Sequence, residues 1–142
     1  MKLYIATDHA GVEIKPQVIA MVQEAGHEIT DLGPTDNSRV DYTDFAHKLC
    51  KQVLEDKGSY GILICGTGIG MSLSANKHKG IRAALCHDHY TAKMARLHND
   101  ANVLCFGARI VGLGVVESIL EAWLETEFEG GRHERRVKKI DI

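Results

Sequence analysis

Tyr60-Gly61-Ile62-Leu63-Ile64-Cys65-Gly66-Thr67-Gly68-Ile69-Gly70-Met71-Ser72 is the stretch whose reading decides the fold. A short apolar run feeds straight into glycines at alternate positions 66, 68 and 70. Too short for a globular helix, the run suits a buried parallel strand. The glycines allow a tight turn and bring backbone N–H groups close to a ligand. Residues from Met71 to Lys77 can then start a helix, whose first turn carries unpaired donors and partial positive charge. Strand, glycine turn and helix start together form an anion cradle, with Cys65 at its lip, where a thiolate would be stabilised.

Working outward, strands and helices alternate about five times. Strand candidates are Leu3 to Ala6, His27 to Leu32, Ile81 to Cys86 and Asn102 to Phe106, besides the central one. Helical spacing of apolar residues marks Val12 to Ala25, Tyr42 to Lys57, His89 to Leu97 behind an Asp88 cap, and Val115 to Glu127. Glu129 to Lys139 reads as Gly-Gly followed by a basic tail. With 142 residues and no composition shift marking a linker, one domain is expected over 1–142. The alternation implies a three-layer α/β/α sandwich with a five-stranded parallel sheet in the Rossmann/flavodoxin-like order 2-1-3-4-5. In that order the winding reverses between the first and third strands, so Asp8-His9 and Cys65-Gly66-Thr67-Gly68 should face each other at the carboxyl edge.

Composition narrows the function classes. A net charge of -2 gives no general attraction to nucleic acid or acidic membranes, and no apolar run is long enough to span a bilayer. Cys50, Cys65, Cys86 and Cys105 are widely spaced without a CxxC pair, so a reduced cytoplasmic protein is expected. No metal is expected either: His87-x-His89 lacks a recognisable ligand pattern.

The glycine turn admits several readings. A dinucleotide fingerprint needs glycine at position 71, where Met71 stands; Asp88 is suitably placed for a ribose, but the chain has no room for a second mononucleotide half and a substrate domain. A Cys-x5-Arg phosphatase loop fails at the same position. A third reading uses the amides to hold an oxyanion beside Cys65. A tight turn with an inert buried cysteine is the plain alternative, level with the functional readings on spacing alone. Other polar residues bear on the choice. His9, His98 and Asn99 could be ordinary turn residues, whereas Arg109 follows a strand and so sits at the carboxyl edge. Arg132 and Arg136 share a face if helical, and forked guanidinium donors suit a phosphate.

Seven blocks in order carry a resemblance: Asp8-His9-Ala10-Gly11, Gly61 to Gly70, Ala75-Asn76-Lys77, Gly80-Ile81-Arg82-Ala83, His98 to Leu104, Phe106-Gly107-Ala108-Arg109 and Glu129-Gly130-Gly131-Arg132-His133. Over essentially its whole length the chain resembles the type B ribose-5-phosphate isomerases, whose relatives include galactose-6-phosphate isomerase subunits. The resemblance implies metal-independent, cofactor-free interconversion of ribose 5-phosphate and ribulose 5-phosphate through an enediolate. It further implies Cys65 as base, Thr67 as proton relay, His98 as the group that opens the sugar ring, and Asp8 as the residue orienting hydroxyls. The amides of Gly66, Thr67, Gly68, Ile69 and Gly70, with Asn99, would hold the oxygens. His9, Arg109, Arg132 and Arg136 would bind the phosphate. Family members pair into dimers or tetramers with sites shared between subunits, which here places the His98-Asn99 turn or the Arg tail on a neighbour. An isomerase of a 6-phosphohexose (allose or galactose type) is the alternative enzyme. A non-catalytic nucleotide- or anion-binding domain is the alternative of another class, needing neither Cys65 nor His98.

Overall fold

The computed structural model describes residues 1–142. The chain runs β1 (Lys2–Thr7), α1 (Lys15–Glu24), β2 (Glu28–Asp31), α2 (Tyr42–Glu55), β3 (Tyr60–Cys65), α3 (Ile69–Ala75), β4 (Ala83–Leu85), α4 (His89–Leu97), β5 (Val103–Gly107), α5 (Leu113–Glu125) and α6 (Arg132–Val137). All five strands are parallel, in the order β2-β1-β3-β5-β4. The sandwich is as expected, but the last two strands are exchanged relative to 2-1-3-4-5. The physical reason lies in their side chains. Val103 to Gly107 is buried at every position and takes the inner place, whereas the three residues of β4 are half-buried and form the edge.

The sheet separates two apolar clusters. On one side Leu3, Ile5, Ile62, Ile64, Leu104 and Phe106 meet Val18 and Val22 of α1 and Val116, Ile119 and Trp123 of α5. On the other, Tyr4, Ala6, Leu63, Cys65, Val103 and Cys105 meet Leu49 and Val53 of α2 and Met71 and Ala75 of α3. The alternation of strand side chains between faces thus assigns Cys65 to the α2/α3 side. Each fully buried Leu or Ile contributes about 1.5–3 kcal/mol through removal from water. Gly61 lets α2 approach the sheet closely, because a Cβ there would stand 2.5 Å from Leu49 Cδ2.

Winding reverses between β1 and β3, whose last paired residues are Thr7 and Ile64. Asp8 N–H then donates to Ile64 O, so the two turns that follow these strands do lie side by side. α1 starts at Lys15 rather than Val12, because the preceding residues form turns in which Gly11 N–H donates to Asp8 O. Asp88 caps α4 as expected, its carboxylate accepting from Thr91 N–H at 2.7 Å. The basic tail is more ordered than its composition suggested, since Arg132–Val137 is helical. No helix is long and apolar enough to cross a membrane.

Candidate active site

Cys65 is the last residue of β3 and lies beside Gly107 of β5. It is 5% exposed, and its Sγ accepts a hydrogen bond from Gly68 N–H at 3.1 Å. Alone among the four cysteines, its sulfur accepts a hydrogen bond from a backbone N–H. Burial pushes the Cys50 and Cys86 thiols up to about 12 and also holds the Cys105 thiol well above its ordinary 9.0, so these three stay protonated packing groups.

Two glycines make the turn possible for different reasons. Gly68 has φ +79°, and a Cβ there would also strike Leu85 Cδ1 at 2.6 Å and the Phe106 carbonyl carbon at 2.7 Å. Gly107 needs only space: a Cβ there would lie 2.5 Å from the Thr67 carbonyl carbon. The end of β5 is lashed to this turn by Ala108 N–H to Cys65 O (2.8 Å) and Arg109 N–H to Gly66 O (3.0 Å). Thr67 Oγ1 accepts from Ile69 N–H at 3.2 Å. Sequence reading missed Tyr42, whose ring lies over Gly70, so that any Cβ at that position would overlap it. Only contact through the fold reveals this neighbour.

The β1 turn supplies the adjoining wall. Asp8 is 7% exposed, and its Oδ1 accepts from Ala10 N–H at 2.9 Å. His9 Nδ1 accepts from Val40 N–H at 3.3 Å. His9, Glu13, Asn37 and Arg109 help line an open cavity of about 370 Å³ between the β1 and β5 turns. Arg109 also reaches across the glycine turn, with its Nη1 3.3 Å from where a Cβ on Gly66 would stand. Thus Asp8, His9, Cys65, Gly66, Thr67, Gly68, Ile69, Gly70 and Arg109 gather at the carboxyl edge.

His98, Asn99, Arg132 and Arg136 do not join them within one chain. His98 caps the C-terminal end of α4, and Asn99 follows in the turn that enters β5 at its amino end. Five residues of β5, about 16 Å of strand, separate this turn from the Cys65 edge. Asp100 takes φ +46° there, held by Arg82 Nε to its carbonyl (2.8 Å) and by Arg96 Nη1 to its Oδ1 (3.3 Å). The chain after α5 returns to the same place, where Glu129 N–H donates to Leu97 O at 3.0 Å. His98 stacks on His133 with ring centroids 4.1 Å apart and planes 11° from parallel. Glu129 Oε2 lies 3.5 Å from His98 Nε2 and 3.3 Å from His133 Nε2. Burial, then the charge of His98, holds His133 below its usual pKa; Glu129 opposes this, while Arg132 and Arg136 add to it. Glu129 and His133 were not picked out as partners of His98, although their i,i+4 spacing was visible.

The parallel-sheet fold agrees with comparisons to known proteins. The model of the family described as Ribose/Galactose Isomerase matches residues 3–140. The chain belongs to that family. Ribose-5-phosphate isomerase B of Escherichia coli strain K12 is 44% identical over 139 residues, covering 98% of this chain and 93% of the relative. The structure of ribose-5-phosphate isomerase B from Clostridium thermocellum superposes with a TM-score of 0.95 at 46% identity, covering 99% of this chain and 95% of that one. The type B ribose 5-phosphate isomerase from Trypanosoma brucei gives a TM-score of 0.95 at 48% identity, with 98% and 95% covered. The family match takes in both residue clusters, from Asp8 to Arg136. The sugar-isomerase class expected from the seven sequence blocks is therefore the class to which the chain belongs.

Proposed function

We propose that the chain interconverts ribose 5-phosphate and ribulose 5-phosphate, in a site built from two copies. The observation that carries this reading is the Cys65 sulfur facing the Gly68 amide inside the glycine turn of a ribose/galactose isomerase. Cys65 as thiolate takes the proton from C2 of the open-chain aldose, and the electron pair moves to O1. Backbone N–H groups of the Gly66-to-Gly70 turn hold the resulting enediolate, with Asn99 of the second copy adding a donor. Thr67 passes the O2 proton to O1; the C2–O2 double bond then forms as Cys65 returns its proton to C1. No metal or cofactor is needed to balance these steps.

Before C2 can lose its proton, the closed sugar must open. His98 suits that acid–base task because its ring offers both a donor and an acceptor nitrogen. Asp8 orients the hydroxyls. His9 and Arg109 of one copy, with Arg132 and Arg136 of the other, grip the phosphate and hold C2 against the sulfur. The separation of these residues between opposite ends of one sheet supports a dimer or tetramer with shared sites.

Mixing two inactive variants tests both the base and the sharing. Cys65→Ala and His98→Asn homo-oligomers should each lose ribose 5-phosphate isomerisation while retaining their melting points. Co-refolded hybrids should recover about a quarter of wild-type activity, because half of randomly paired dimers hold one intact shared site. No recovery from hybrids shown to have formed refutes the shared site, and full turnover by Cys65→Ala removes the sulfur as base. The family description also names galactose, which keeps a 6-phosphohexose as the second substrate class. A coupled assay comparing five- and six-carbon sugar phosphates decides between them.

A further inference from the structure

The His98, Glu129 and His133 cluster has a geometry that a ring-opening role for His98 leaves unexplained. The three ligand-capable atoms, His98 Nε2, Glu129 Oε2 and His133 Nε2, all lie within 4.8 Å of one another. His133 is 8% exposed, and its Nε2 is fully buried without a hydrogen-bond partner. Although that nitrogen lies 3.3 Å from Glu129 Oε2, the approach makes no hydrogen bond. A buried imidazole nitrogen left in this way is costly unless something else meets it.

The spacings suit a small cation. Zinc binds imidazole nitrogen and carboxylate oxygen at about 2.0–2.2 Å in a tetrahedron, whose ligand–ligand edge is then about 3.3–3.6 Å. The two nitrogen-to-Glu129 separations, 3.5 and 3.3 Å, fall in that range. The remaining edge needs the stacked rings to splay, and the His98 side chain, 36% exposed, has room to turn. Glu129 is 54% exposed, which leaves the fourth position open to water or an anion. Arg132 and Arg136 stand close enough to affect His133 and oppose a cation, so the ion is held reversibly rather than as a permanent structural part.

We propose that His98, Glu129 and His133 form a binding site for a divalent transition-metal ion of the zinc type, and that filling it stops isomerisation by occupying His98 Nε2. The binding half stands on the cluster alone; the inhibition half rests on the isomerase reading above. The ion is a competitor for His98, and the reaction itself does not use it.

Zn²⁺ alone is the probe, applied to the full chain in its native assembly. Competition with a chromophoric chelator should show one ion per chain in wild type, and equally in Cys65→Ala, which removes the other attractive ligand. His133→Ala and Glu129→Gln should each weaken uptake at least about tenfold, since even outer-shell changes at metal sites cost that much. Glu129 is exposed, so Glu129→Gln reads the site even where His133→Ala fails to fold. In wild type, Zn²⁺ should inhibit isomerisation reversibly, with EDTA restoring it, and the inhibiting concentration should rise in Glu129→Gln by the same factor as the dissociation constant. The site is refuted by absence of uptake in wild type, by unchanged uptake in Glu129→Gln, or by loss of uptake in Cys65→Ala. Uptake without inhibition of an active enzyme refutes the competition with His98. A wild type without isomerase activity would instead overturn the isomerase reading, and zinc uptake would still report on the site.

Discussion

Replacing Gly107 by Ala should disturb the Cys65 turn without touching any polar residue. The added methyl carbon would stand 2.5 Å from the Thr67 carbonyl carbon, 2.6 Å from Thr67 Cα and 2.7 Å from Gly66 O. Comfortable carbon contacts lie near 3.5–4.0 Å, so the two segments must part by about 1 Å. They cannot simply pivot, because Ala108 N–H to Cys65 O and Arg109 N–H to Gly66 O tie them together. Overpacking of this kind costs about 1–3 kcal/mol. For 142 residues the unfolding entropy is about 0.3 kcal/mol per kelvin, so a 2 kcal/mol loss lowers Tm by about 7 °C. If Cys65 is the base as proposed, a shift of about 1 Å between it and the substrate should also lower turnover about a hundredfold. Thermal melts and a coupled isomerase assay well below either melting point measure the two effects. Gly114→Ala is the control: a Cβ there meets nothing within 4 Å in the first turn of α5, and stability should hold or rise by up to about 1 kcal/mol. If Gly107→Ala melts like wild type and turns over normally, the turn is not positioned by this contact.

Two pH effects follow from groups away from the reaction. His78 Nε2 lies 2.6 Å from His47 Nδ1; burial first, then the charges of His47 and Lys51, hold the His78 pKa below its ordinary 6.5. Its neutral form therefore adds stability above pH 6.5 that is lost as pH falls through the folded value, so denaturant melts should weaken on acidification and His78→Gln should flatten that decline. An unchanged acid limb in His78→Gln would remove the pair as its cause. At the other end, Cys50 and Cys86 are raised by burial from an ordinary 9.0 to about 12. Their stabilisation is complete below pH 9.0 and is lost toward pH 12, at about 1.4 kcal/mol per pH unit for each thiol. Cys50→Ala should remove one thiol's share of that alkaline slope, and an equally steep slope in the variant would refute the assignment.

What could be read from the sequence was what is encoded locally. A short apolar run with alternate glycines specifies β3 and its turn, and Asp88 followed by Thr91 specifies the start of α4. Strand order is not local, and the exchange of β4 and β5 escaped the reading. One signal was available, because Val103-Leu104-Cys105-Phe106 is an unbroken apolar run whereas Arg82-Ala83-Ala84-Leu85 is weaker and begins with a charge. The start of α1 was placed early because apolar spacing continues through Val12 and Ile14, where turn hydrogen bonds prevail. His133 was hidden by its basic neighbours, which read as solvated charge until α6 turned it inward. Tyr42 over Gly70 joins residues far apart in sequence, and no local pattern announces it.

The division of polar groups between the two ends of β5 has a consequence for how such an enzyme could change its diet. In the shared site proposed above, the gap between sulfur and arginines would be a calliper whose jaws belong to different copies. Sliding one copy against its neighbour by roughly a bond length resets the jaw opening while leaving each copy's internal packing alone. Longer or shorter sugars could then be admitted by altering residues on the docking faces, far from any atom that touches the sugar.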